Sequence, residues 1–353
     1  MRASTRIGAV LAGAVLASLT LAAGTTMAAS SKQLTFSLIT KTNENPVFVL
    51  EKQEAIAKAK AMGIRLLTFT GKYDGDNASQ VTDIEDSIAA GVNAIIIVPN
   101  DTKAIIPQIQ EAQKAGIKVI VYDSPLDTPG IADGTFATNN YEAGELIGRW
   151  VKATLGAQAD KARIAMLDAD TLMVSNDVAR DTGFLNGFGI ATPNPKVWGS
   201  EHDPRVVGHQ ITKGSASLGQ SAMEDLLERA PSINVVYSMN EQAAAGAAQA
   251  LKSAGRAKDV LSVSIDGTCA GLQMVKEGTL SATVMQFWLK MVDMSMDAAY
   301  NLLTKGEKPA VSPGLDYYDT GVTLVTDHPA PGVPSINADQ ALKLRGPMCA
   351  KSG

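Results

Sequence analysis

Eight residues have types and placings suited to holding a small neutral ligand: Asn45, Phe48, Asp123, Asn140, Arg180, Asn240, Asp266 and Gln286. The polar ones fall where a strand or helix pattern gives way to a loop. Asp and Asn side chains accept from and donate to vicinal hydroxyls, and Arg donates as a planar fork. Phe48 adds a flat apolar face for the C–H side of a sugar ring. Taken singly, each Asn or Asp is equally well explained as a cap or turn residue. The set together points to a polyhydroxylated ligand.

Covalent or metal chemistry has less support. The histidines are His202, His209 and His328, and none has a zinc-type spacing. Cys269 and Cys349 have no nearby CxxC partner. No GxSxG elbow, HExxH motif or phosphate-binding loop is present. The run GFLNGFG over 183–189 lacks the GxGxxG order and reads as the inside of a helix. Asp74-Gly-Asp76-Asn77 reads as a turn with Asp76 capping a helix, in preference to a calcium loop. The expectation is a binding protein and not an enzyme, with no cofactor and no metal.

The elements that must position these residues repeat. Leu261–Gly267 (LSVSIDG) reads as a short buried strand ending at Asp266. Such a strand suits a parallel sheet covered on both faces, where ligands sit outside the carboxyl ends. Asn93–Asn100, Lys103–Ala115 and Ile117–Ser124 form a strand–helix–strand unit ending near Asp123. Asn234–Asn240, Glu241–Ala254 and Val260–Gly267 repeat that order, and both helices close on Ala-Gly. Two similar α/β halves follow, each presenting an Asp at a strand end.

The alternation begins with strands at Leu34–Thr40 and Ile64–Thr70 around a helix over Val47–Met62, with Pro46 suited to its first turn. Pro125–Gly134 interrupts it, and 136–140 reads as the passage into a second domain that opens with a helix over Tyr141–Leu155. The Pro/Gly-rich stretch 193–214 has little periodicity, and one or two short strands fall within Asp316–Val325.

Residues 1–29 read as a secretory signal peptide: Arg2 and Arg6, an Ala/Leu/Val-rich run, then small residues for cleavage. Removing them takes the formal charge from −5 to −7, since both arginines go. No basic run survives to meet nucleic acid. No later stretch reaches the ~18 apolar residues of a membrane span. Two cysteines in an exported protein suggest one disulfide, Cys269–Cys349.

At these residues the chain resembles the periplasmic sugar-binding proteins of the ribose-binding type, which serve ABC importers. The resemblance spans about 34–325. It rests on Asn43-Glu-Asn45-Pro46-Val-Phe48, Val121-Tyr-Asp123, Asn139-Asn140, Arg180-Asp-Thr-Gly-Phe184, Ser238-Met-Asn240-Glu241, Asp266-Gly267-Thr268 and Ala282-Thr-Val-Met-Gln286. Asn240-Glu-Gln-Ala-Ala-Ala-Gly246, Cys269-Ala-Gly271, Asp319-Thr-Gly-Val-Thr-Leu324 and a Cys near the C-terminus are most similar to the fructose-binding branch. In three places the chain departs, one being the Pro193–Gly214 region, which is longer than usual in the family. Ser124 follows Asp123 where ribose binders carry an Arg, and Val47 stands where the fructose branch has an aromatic.

The resemblance implies two flavodoxin-like doubly wound domains joined by a three-segment hinge, the type I periplasmic binding protein architecture. One lobe would comprise 30–138 and 287–316, the other 139–286 and 317–330, with 331–353 as an extended tail. The crossings are expected near Ala137–Asn140, Met285–Trp288 and Leu315–Tyr318. The eight residues above would line the cleft. The implied protein is a periplasmic monomer that captures a monosaccharide, such as fructose or ribose, or a polyol. It would deliver its ligand to the membrane subunits of an importer. Delivery to a chemoreceptor or sensor is the alternative. A sugar-responsive transcription regulator would need a DNA-binding helix pair where the leader lies.

Overall fold

The computed structural model describes residues 1–3, 33–346 and 349. The expected signal peptide lies outside the described residues beyond its first three.

Two six-stranded sheets organise the chain. The first is built from β1 (Thr35–Thr40), β2 (Arg65–Thr70), β3 (Ala94–Ile97), β4 (Lys118–Asp123) and β5 (Gly134–Ala137), with β11 (Tyr318–Asp319) at its edge. The second holds β6 (Ile164–Asp168), β7 (Val206–Ile211), β8 (Val235–Ser238), β9 (Leu261–Asp266), β10 (Ala282–Gln286) and β12 (Val322–Val325). Their orders, β11-β5-β4-β3-β1-β2 and β12-β10-β9-β8-β6-β7, are the same doubly wound order written twice. Every pairing is parallel except β10 with β12. The central strands read as unbroken apolar runs because helices bury both faces.

In the first sheet α1 (Pro46–Met62) and α9 (Trp288–Lys305) cover one face, and α2 (Asn77–Ala89) and α3 (Ile106–Lys114) the other. In the second, α4 (Asn140–Leu155) and α5 (Ser175–Phe188) lie opposite α6 (Ala216–Arg229) and α7 (Glu241–Ser253). α8 (Cys269–Lys276) and α10 (Ala338–Arg345) pack beside α7 and β10. The chain passes between the sheets after Ala137, after Gln286 and between Asp319 and Val322. Among the described residues, no helix is long and apolar enough to cross a membrane.

Four glycines set the spacing of α4 and α5. A Cβ on Gly144 would lie 2.0 Å from Arg180 O, and one on Gly148 2.1 Å from Phe184 O. Gly183 and Gly187 face Tyr141 O and Glu145 O in the same way, at 2.1 and 2.3 Å. Of the glycines in 183–189 that resemble a nucleotide loop, Gly183 and Gly187 therefore serve helix packing, and Gly189 ends α5 with φ 95. Backbone cannot yield as a side-chain tip can, so Gly144→Ala is expected to cost about 1–3 kcal/mol through overpacking. Because α5 carries Arg180, the same variant should also bind ligand more weakly. Urea unfolding and calorimetric titration of one preparation check both.

Several sequence expectations need correction. The tail over 331–353 is not extended throughout. Asn337 and Gln340 form a capping box, and Ala338 and Ala341 are buried in the helix that follows. The prolines ahead of it mask its periodicity. The third crossing falls after Asp319 and not at Leu315–Tyr318, because Tyr318 and Asp319 still pair with β5. β5 begins where the interruption at Pro125–Gly134 ends, and β7 lies within 193–214; both are too short or too polar to show alternation.

Candidate functional site

The carboxyl ends of the two sheets face each other across a cleft. Lys41, Asn45, Val47, Phe48, Asp74 and Asp123 line it from the first sheet's side. Asn176, Arg180, Met239, Asn240, Asp266 and Gln286 line it from the second, with Trp288 at a crossing. The cleft holds about 410 Å³ of empty space, its open mouth included. Ser175 Oγ donates to Pro125 O at 2.6 Å and ties the two sides together. Larger hollows lie on the outer surface, beside α7 and α8 and beside α9, away from this convergence of polar side chains.

Seven of the eight predicted residues line this space. Asp123 ends β4 with φ 62, and Asp266 ends β9 with φ 143. Both are conformations that L-residues rarely adopt and that cluster at ligand sites. Ser124 Oγ donates to Asp123 Oδ2 at 2.9 Å. Gln286 Nε2 donates to Asp266 Oδ1 at 2.7 Å, and Arg180 Nη1 lies 3.8 Å from the same oxygen. Arg180 is itself fixed, with Nε on Asn140 Oδ1 and Nη1 on Met239 O, each at 2.8 Å. Asn140 is not in the lining; it is buried and orients Arg180 from behind.

Asn45 and Asn240 do double duty. Asn45 Oδ1 caps α1 by accepting from Val47 N, and Asn240 Oδ1 caps α7 by accepting from Ala243 N. Asn240 Nδ2 also donates to Gly214 O. Asp266 is different: the helix after it, α8, is capped by Thr268, whose Oγ1 accepts from Gly271 N. Asp266 therefore does not cap α8; its carboxylate also meets the backbone amide of Glu241 at the start of α7. Asn100, which matched Asn240 in the repeat, holds loops together through Lys41 O, Asp76 O and Gly75 N. Asp76 caps α2, as its spacing predicts.

Burial drives the electrostatics. It raises the Asp266 pKa to about 6, against the pull of Arg180 and Gln286. Glu241 lies behind the Asp266 turn and rises to about 7, by burial first and by Asp266 second. Its carboxylate accepts from Gly267 N, Thr268 N, Thr268 Oγ1 and Thr283 Oγ1. Glu51, fully buried on α1, is pushed well up by burial and by Asp123, while Tyr122 Oη donates to it. Sequence reasoning missed Lys41, Asp74, Asn176, Met239 and Trp288. The caps and strand ends gave a signal, but a buried Lys or a first-turn Trp gives none.

A second polar cluster sits at β6 and β7 of the second sheet. His209 Nδ1 is 2.9 Å from Asp168 and Nε2 is 2.9 Å from Glu201, with the ring stacked on Trp198. With a carboxylate on each nitrogen, both nitrogens donate and the ring is an imidazolium. Asp168, Asp181 and His209 offer atoms within 4.8 Å of one another, the cluster that a metal ion would need. The ring nitrogens are committed to carboxylates and offer no lone pair. Burial alone would lower the His209 pKa, but Asp168 and Glu201 win and push it to about 10. A raised folded pKa stabilises fully below the unfolded value near 6.5 and is lost as pH rises toward 10. His209→Gln is expected to cost about 3 kcal/mol at pH 6, with the gap to wild type closing toward pH 10. Unfolding measured across that range tests the sign.

Comparison with known proteins shows the family. The family model of the periplasmic binding protein domain matches residues 36–308. The ribose import binding protein of Bacillus subtilis is 30% identical over 259 residues, covering 73% of this chain and 78% of that protein. A D-apiose import binding protein of Paraburkholderia graminis is 31% identical over 263 residues, covering 74% and 78%. A solute-binding protein of Actinobacillus succinogenes, solved with bound D-allose, superposes with TM-score 0.72 at 26% identity, covering 88% of this chain and all of that one. Fold, cleft and relatives converge, and the chain belongs to the periplasmic binding protein family, among the sugar-binding members of the ribose-binding type.

Proposed function

We propose that this protein captures a neutral monosaccharide, fructose or a similar ketose or pentose first, and presents it to an ABC importer in the periplasm. The observation that carries the reading is the meeting of Asp123 and Asp266, from opposite sheets, with Arg180, Asn240 and Gln286 around one small cleft walled by Phe48 and Trp288. Two carboxylates and two amides match vicinal hydroxyls, and the aromatic faces match a ring. A carboxylate or phosphate ligand would meet two like charges instead. The relatives whose names specify ribose, apiose and allose support a sugar of this size. The fructose preference rests on the motif resemblance around Asn240, Cys269 and Asp319.

The three crossings act as a hinge, and the enclosed ligand stabilises the closed form that the importer's membrane subunits recognise. The lobes of this reading are 30–138 with 287–319 and 139–286 with 322–346. Eight residues, Asn45, Phe48, Asp123, Asn140, Arg180, Asn240, Asp266 and Gln286, hold the ligand directly or through Arg180.

A thermal-shift screen against pentoses, hexoses and polyols tests the proposal. A sugar at ~100 times its dissociation constant should stabilise the protein by about 2.7 kcal/mol. A melting temperature raised by an amino acid or organic acid, and by no sugar or polyol, would sink it.

A further inference from the structure

The strand ends bearing Asp266 and Gln286 are held from behind by one buried cation. Arg345, on α10, is 8% exposed. Its Nε donates to Gly267 O at 2.8 Å, and its Nη2 to Asp266 O at 3.0 Å and Gln286 O at 2.8 Å. Its guanidinium lies 4.3 Å from the centre of the Trp288 ring, and Trp288 lines the cleft. Three cleft residues thus share one support.

The backbone there needs support. Asp266 has φ 143 and Gly267 φ 66, and such conformations persist only where the surroundings over-determine them. Glu241 grips the amides of the turn, at Gly267 N and Thr268 N. Arg345 grips its carbonyls. The two clamps come from different parts of the chain: Glu241 from α7, Arg345 from a helix beyond the last strand. That helix is anchored by Ala338 and Ala341 against α8 and by the Cys269–Cys349 bond. An arginine hydrogen-bonded to backbone carbonyls, with no carboxylate partner for its fork among the described residues, is not an ordinary surface ion pair. Burial lowers its pKa to about 10 against the fields of Glu241 and Asp266.

We propose that Arg345 is a positioning residue of the ligand site, fixing the backbone from which Asp266 and Gln286 reach the ligand, so that the C-terminal helix is a working part of the cleft. The claim rests on the sugar-binding reading for its affinity consequence, but not for its structural one.

The test compares Arg345→Ala and Arg345→Lys with wild type. Hydrogen exchange followed by mass spectrometry needs no ligand. Exchange over 262–286 should rise at least about tenfold in Arg345→Ala, while peptides from β1 to β4 stay unchanged. Calorimetric titration with D-fructose, D-ribose and D-allose should show affinity weakened about tenfold or more. Arg345→Lys, which keeps the charge but not the fork, should recover part of it. Arg345→Ala should also cost less affinity in a Gln286→Ala background than in wild type, because the two act on one strand end. Unchanged exchange over 262–286 overturns the proposal. So does a lowered melting temperature with unaltered sugar affinity. If wild type binds none of the three sugars, the titration uses a sugar or polyol found in the thermal-shift screen; if that screen finds none, the functional reading fails and the exchange result alone decides this one. If Arg345→Ala does not fold, Arg345→Lys is read by the same two measurements.

Discussion

Asp266→Asn is expected to weaken sugar binding by about a hundredfold and to leave the unliganded protein no less stable. The affinity loss follows from charge-assisted hydrogen bonds to ligand hydroxyls, each worth ~1.5–3 kcal/mol, with ~1.4 kcal/mol to a decade. The unchanged stability follows from where the carboxylate sits. It is 5% exposed, and burial raises its pKa to about 6. An acid with a raised folded pKa stabilises fully below its unfolded value near 3.8, and that stability is lost as pH rises through about 6. At pH 7.5 the ionised group is a cost that Arg180 and Gln286 offset only in part. The Asn variant removes the cost and keeps an acceptor for Gln286 Nε2. The gain is bounded at about 3 kcal/mol by the rise from 3.8 to about 6, and is smaller because Arg180 loses a partner. Calorimetry and urea unfolding on one sample separate the outcomes. Normal affinity with lowered stability would mean that Asp266 serves the fold alone. The same pKa predicts a pH effect on binding: if the sugar selects the ionised form, affinity at pH 5 is about tenfold weaker than at pH 7.5.

The strand–helix–strand units ending at Asp123 and Asp266 are legible because parallel strands buried on both faces leave unbroken apolar runs. In the structure they occupy equivalent places in two sheets of the same order. The cleft residues at caps and strand ends are legible for a related reason: chain reversals need Asn and Asp, and doubly wound sheets put reversals where ligands bind. That same fact makes each one ambiguous. Asn100 and Asn240 look alike in sequence, yet only Asn240 reaches the cleft. What the sequence hides are charged groups buried by tertiary packing. Glu51, Lys41 and Arg345 sit in no motif that marks them, and each is at most 8% exposed. β5 and α10 were hidden by their neighbours, the one by the Pro/Gly-rich run before it and the other by prolines.

Replacing both Cys269 and Cys349 by Ser is expected to cost up to about 4–5 kcal/mol of stability, the largest single effect on the fold. The two cysteines are bonded and 80 residues apart in sequence. In the chain-entropy model, cross-linking a loop of that length removes disorder from the unfolded chain, and the stabilisation grows slowly with length. The native contribution is separable. α10 is also held by its capping box, by Ala338 and Ala341, and by Arg345, so the helix stays docked without the bond. The loss therefore acts mostly through the unfolded state. The folded variant should keep its sugar affinity within a few-fold, unlike Arg345→Ala. Two measurements distinguish the cases. Thiol titration of denatured, unreduced wild type should find no reactive thiol, and two would mean that the bond does not form. Urea unfolding of the double-Ser variant should show a lowered midpoint, accompanied by a smaller m-value only if the freed C-terminal segment no longer unfolds with the rest. A midpoint equal to that of wild type would mean that the chain-entropy term is cancelled by strain in the native protein.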